Sequence, residues 1–135
     1  MEAYDHATEI TTRFRDLDTN RHVNNAVYVS YLEQGRAEYF ADVLGVHLAE
    51  AEIVLARLEL EFEAPVSLDD RVTVHTRVPE LGRSSFAMEH AIEAGDRLAA
   101  TATSTIVPFD VDSESARPIP DAWREAVRNH ESLGR

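Results

Sequence analysis

Between strand-like and helical segments the chain reads Asp16-Leu17-Asp18-Thr19-Asn20-Arg21-His22-Val23-Asn24-Asn25, more hydrogen-bonding side chains than a connection needs. Carboxylates, amides and an imidazole in one stretch suit acyl transfer to water. That reaction takes a nucleophile or general base, a group to orient it, and a donor for the oxyanion formed when a carbonyl is attacked. A helix starting just after the stretch would supply the donor, because helix N-termini carry unpaired N–H groups and partial positive charge. Asp, Asn and Thr are equally the residues of turns and N-caps, so any one of these positions is also consistent with a structural role. The sequence contains no cysteine. Thiolate nucleophiles, disulfides and cysteine-ligated metals are therefore excluded. No Gly-x-Ser-x-Gly nucleophile elbow occurs either. His6, His47, His75, His90 and His130 lack the close spacing of a helical metal pair, and His90 falls on a core-facing strand position, so no metal is expected.

The elements that must position this stretch follow from periodicity. Ile10, Thr12 and Phe14 alternate with Thr11, Arg13 and Arg15, which predicts a strand over 7–16. Tyr28, Tyr31, Leu32, Gly35, Tyr39, Phe40 and Val43 then recur at spacings of three and four, predicting a long helix over roughly 24–44 that ends at Gly45, with Val46 packing back. Gly35 inside it costs about 1 kcal/mol relative to alanine and points to another backbone approaching closely, as in a sheet wrapped around the helix. Four more strands are predicted at 53–63, 71–78, 85–93 and 98–109, with turns at Pro79–Gly82 and Ala94-Gly95-Asp96. A short helix over 121–130 has Asp121 as its expected N-cap and Ala122, Trp123, Ala126 and Val127 on one face; the last five residues read as frayed. One helix against five antiparallel strands is an α+β plan in a single domain over 1–135. Such a sheet leaves edge strands exposed, for which dimerisation is the usual remedy.

The run from Arg15 to Asn25, followed by Tyr28, Tyr31 and Glu33 to Arg36, resembles the signature of the 4-hydroxybenzoyl-CoA thioesterase-like branch of the hotdog superfamily. Arg57-Leu58-Glu59 through Pro65, Leu81 to Phe86, and Pro118 to Asp121 resemble later segments of that family, so the likeness covers roughly residues 8–128. It implies a hotdog fold, a five-stranded antiparallel sheet around one long central helix with a short C-terminal helix, and hydrolysis of an acyl thioester. It maps the family's base or nucleophile onto Asp18 and the backbone N–H that polarises the carbonyl onto the helix start near Asn25. Plant acyl-carrier-protein thioesterases share the Asp-x-Asn-x-His-Val-Asn-Asn string, which points to Asp18, Asn20 and His22 as catalytic; their further cysteine has no counterpart here. Glu59 is a candidate for that place but also fits the strand alternation as a plain outward residue. Asn24, Asn25 and Tyr28 fall at the substrate. Asp16 is expected to position the loop, and Glu33 to meet Arg36 or line the pocket.

A net charge of -12 opposes nucleic acid and anionic membrane as partners. It equally disfavours coenzyme A unless arginines cluster locally. All 13 basic residues are arginine, which suits bidentate phosphate contacts. Arg83 with Ser84 and Ser85, in the family-like turn, is the expected phosphate contact, helped by Arg57, Arg71 or Arg97, from the same subunit or a second one. No cofactor beyond the coenzyme A of the substrate is expected, with acyl carrier protein as the other carrier. The acidic N-terminal segment has neither signal-peptide pattern nor spanning apolar run, which predicts an unprocessed cytoplasmic protein, working as a homodimer or dimer of dimers. Two other readings stand beside this one. A non-catalytic acyl-CoA-binding module is one; a hotdog hydratase or dehydratase is the other, against which the Asp18-to-His22 spacing argues.

Overall fold

A computed structural model describes residues 3–132. Strand β1 (His6–Ile10) leads through a single 3-10 turn (Phe14–Asp16) to helix α1 (Val27–Tyr39), which continues as one π-helical turn (Phe40–Leu44). Strands β2 (Ile53–Phe62), β3 (Val72–Arg77), β4 (Phe86–Ala94) and β5 (Arg97–Asp110) follow, then the two-residue β6 (Ser115–Ala116) and helix α2 (Asp121–Glu131). The sheet order is β1-β3-β4-β5-β2, every pairing antiparallel, with β6 added on β5. This is the expected α+β plan, with one short strand more.

Alternation on the central strands places one residue in two against α1. Val72, Val74, Thr76 and Val78 are fully buried, as are Met88 and Ile92, with Phe86 and His90 nearly so. The apolar residues form two clusters. One joins Tyr28, Tyr31 and Leu32 to Val66, Val74, Ile92 and Ala102; the other joins Tyr39 and Phe40 to Val78, Met88, Ile106 and Trp123. Buried polar residues also face α1 from the three central strands: Thr76, His90 and Ser104, met by Arg36 from α1. Arg36 Nη2 donates to Ser104 Oγ at 3.3 Å, and Thr76 Oγ1 shares a hydrogen bond of 3.1 Å with His90 Nδ1. Burial, and then the Arg36 charge, push His90 down to about 3, so the ring is neutral.

Gly35 faces β3. A Cβ there would stand 2.7 Å from Val74 Cγ1 and 3.2 Å from Thr76 Oγ1, so the sheet does press on the helix, but through β3 side chains rather than backbone. Gly45 closes the π turn with φ 68°, as its place after Leu44 predicts.

Four expectations are corrected. β1 stops at Ile10, and Phe14, expected inward, is 81% exposed, because Asp16 bends the chain into a tight turn by accepting the Arg13 N–H at 2.9 Å. Helix α1 starts at Val27, three residues late, since Asn24-Asn25-Ala26 form a turn of their own. Pro120 rather than Asp121 is the N-cap of α2. Glu131 is not frayed: its Oε2 accepts the Tyr39 hydroxyl and the Val78 N–H, each at 2.7 Å, tying α2 to the core. Ser132 is the exposed C-cap of α2, and 133–135 of the expected frayed end lie outside the described residues.

Candidate active site

The chain between β1 and α1 is held by its own side chains. Asp18 Oδ1 accepts the Asn20 N–H at 2.8 Å, the Asp18 N–H reaches the His22 carbonyl at 2.9 Å, and the Arg21 N–H returns to the Asp18 carbonyl at 3.0 Å. The turn needs Arg21 at φ 64°, an uncommon conformation for a side chain of that size. The loop is then stitched to the segment after β2: Val23 N–H donates to the Val66 carbonyl at 2.8 Å, and His22 bridges to Ser67. Buried Val23 nails the loop to the core while Asp18, Asn20 and His22 stay exposed.

A second tie comes from the helix. Tyr31 Oη donates to Asp16 Oδ2 at 2.8 Å, and the Asp16 carbonyl accepts the Asn24 N–H at 2.8 Å. Burial and the neighbouring carboxylate, only partly offset by Thr12, leave the Tyr31 hydroxyl pushed up to about 12, so it remains a donor at all ordinary pH. Asp16 thus positions the loop, as expected. Its partner Tyr31 was legible only as part of the helical stripe, since nothing in the sequence says which loop a buried phenol will reach.

Asp18, Asn20, His22, Asn25 and Tyr28 line one cleft of about 410 Å³, together with Phe62 and the Glu63-Ala64-Pro65 segment. The Tyr28 and Phe62 rings, 5.0 Å apart, make its apolar wall. Across the loop a wider cleft of about 1100 Å³ is walled by Phe14, Leu17 and Leu68 and shares the same Asp18, Asn20 and His22. Phe14 and Leu68 were not foreseen as site residues; their exposure depends on where the loop bends. Asn24 lines neither cleft: its Oδ1 accepts the Ala26 N–H at 2.8 Å and shapes the helix entry. The helix has no side-chain cap and no acidic residue in its first turn, so its positive end is not neutralised from within.

Several candidates lie elsewhere. Arg83, Ser84 and Ser85 sit at the β3–β4 turn, while the Asp18 loop contacts the opposite end of the strands, where β3 begins and β4 ends. A nine-residue strand spans about 30 Å, so one chain does not bring them together. Glu59 points away from α1 and pairs with Arg57. Arg97 is occupied by Asp70 at 2.7 Å and the Pro65 carbonyl at 3.0 Å. No group of His, Asp and Glu among the described residues is arranged to hold a metal ion.

Residues 12–127 match the thioesterase-like superfamily. The chain belongs to that superfamily. It is 38% identical to a thioesterase from Thermus thermophilus crystallised with coenzyme A and zinc, with a TM-score of 0.92 over 100% of both chains. It is 26% identical to the long-chain acyl-CoA thioesterase FadM of Escherichia coli, over 89% of this chain and 95% of that one. A chloroplastic acyl-acyl carrier protein thioesterase of Arabidopsis thaliana is 28% identical over 64% of this chain, which matches about half (48%) of that longer protein. The fold is therefore the hotdog fold of the thioesterases, and the chain is a thioester hydrolase of this superfamily.

Proposed function

We propose that this thioesterase is a cytoplasmic, single-domain enzyme that hydrolyses acyl-coenzyme A at Asp18. The observation that carries the reading is the convergence of Asp18, Asn20, His22 and Asn25 on one cleft beside an unneutralised helix N-terminus. The thioester carbonyl sits at the helix start, where N–H groups near Asn25 take the developing oxyanion. Asp18 acts as general base, removing a proton from water as the hydroxide adds to the carbonyl carbon, or adds directly as nucleophile to give an acyl anhydride that water then cleaves, regenerating the Asp18 carboxylate. In either route the C–S bond breaks, the thiolate leaves and takes up a proton, and the free acid forms. Asn20 and His22 orient the carboxylate and the water. The two clefts that meet at this trio receive the two arms of the thioester.

The names of FadM and of the Thermus enzyme support coenzyme A over acyl carrier protein as the carrier. Coenzyme A brings several negative charges, and Arg83 with Ser84 and Ser85 are their proposed contacts. Because that turn is remote from Asp18 in one chain, it comes from a second copy. The long edge strand β2 exposes Val54, Leu55 and Phe62 at 41–46%, a surface fit for a two-fold partner.

Thiol release from aromatic, short-chain and long-chain acyl-CoAs tests the assignment. Asp18→Asn should lower turnover at least about a hundredfold, the scale of losing a base. Full activity in the folded variant rejects Asp18. Binding of acyl-CoA without hydrolysis across the whole panel would favour a non-catalytic module.

A further inference from the structure

The turn that carries Arg83 is shaped from outside by a residue of α2. Arg124 Nη2 donates to the Gly82 carbonyl at 2.6 Å and to the Arg83 carbonyl at 2.9 Å. The Ile119 N–H, just before α2, donates to the same Arg83 carbonyl at 3.0 Å, and inside the turn the Gly82 N–H donates to the Ser85 carbonyl at 2.9 Å. Gly82 is required for this path, since a Cβ there would stand 2.8 Å from the Ser85 carbonyl oxygen.

The peptide bonds of the turn are trans. A planar trans peptide directs its N–H opposite to its C=O. With the Gly82 and Arg83 carbonyls drawn onto Arg124, the N–H groups of Arg83 and Ser84 face away from α2. Consecutive N–H groups next to a guanidinium and two hydroxyls are the kinds of donor that phosphate oxygens accept from. In a chain of net charge -12, such a site works only if its donors are already aimed.

We infer that Arg124 is a positioning residue for the phosphate end of coenzyme A: its guanidinium holds two turn carbonyls inward so that Arg83, Ser84 and their N–H groups face the phosphates. The inference rests on the proposed role of Arg83 to Ser85, and touches neither Asp18 nor the clefts around it. Trp123 and Val127 keep α2 buried against the core whatever stands at 124.

Calorimetric titration with coenzyme A and with pantetheine, which carries the thiol arm without phosphates, tests it. Arg124→Gln should weaken coenzyme A about tenfold through the lost preorganisation while leaving pantetheine unchanged. Arg124→Lys, still able to donate to carbonyls, should regain most of the loss. KM for acyl-CoA should rise in Arg124→Gln with kcat unaltered. Unchanged coenzyme A affinity in Arg124→Gln, or an equal loss for both ligands, overturns the inference. Arg83→Ala separates the two layers. If it weakens coenzyme A while Arg124→Gln does not, the positioning role alone falls; if it too has no effect, the phosphate assignment of the turn falls with it.

Discussion

Asp16 and Asp18 are two residues apart and do opposite work. Asp16 is half-buried and spends its carboxylate on Tyr31 and on the Arg13 N–H, whereas exposed Asp18 keeps an oxygen free toward the clefts. Tyr31→Phe removes the link from α1 to the loop. It should cost about 1 kcal/mol of stability, the usual worth of one hydrogen bond, and lower kcat through a displaced Asp18. Thermal unfolding with steady-state kinetics on one acyl-CoA checks both effects, and an unchanged kcat would detach Tyr31 from catalysis. His90 gives a pH dependence. It is held neutral when folded, down to about 3, yet takes up a proton near 6.5 once unfolded. The unfolded state therefore binds more protons between those values, and stability is complete above pH 6.5 and declines as pH falls toward 3. Denaturant titrations from pH 7 to 4 should show a decline that His90→Gln makes shallower.

Among the elements, α1 carries the burden of placing its N-terminus at the loop while lying close on the sheet. Gly35 sets that closeness. Gly35→Ala would gain about 1 kcal/mol of helix propensity. It also forces a methyl group to 2.7 Å from Val74, and overpacking of this kind costs about 1–3 kcal/mol. Val74 is fully buried, so net destabilisation is expected. A higher melting temperature for the variant would show that β3 relaxes instead. The β2–β3 segment matters equally, because Val66 and Ser67 form the wall to which the loop is stitched.

The whole molecule presents the Asp18 loop at one end of the sheet, the Arg83 turn at the other, and alongside them the ten-residue edge strand β2 with its exposed Val54, Leu55 and Phe62. In the proposed dimer, two copies joined edge to edge along β2 in antiparallel fashion would place opposite ends side by side and bring one chain's turn to the other's loop. Leu55→Lys should then shift sedimentation from dimer toward monomer and lower acyl-CoA turnover in parallel. A monomeric variant with full activity would show that each chain is self-sufficient.

Periodicity by itself determined the α+β plan, the core-facing residues of β3 and β4 and the end of the long helical segment at Gly45, because each is set by residues near in sequence. Other features depend on contacts between residues far apart in the chain. The exposure of Phe14 follows from a loop bent by Asp16 and held by Tyr31; the anchoring of Glu131 follows from Tyr39 and Val78. The two-residue β6 forms only because the turn after β5 folds back, with Asp110 Oδ1 accepting the N–H groups of Asp112 and Ser113. The separation of Arg83 from Asp18 was likewise decided in three dimensions, since it depends on which end of an antiparallel sheet each connection occupies. The sequence alone thus determined which residues could do the chemistry. The tertiary structure decided which of them meet, because long-range hydrogen bonds and packing fix where each loop is held.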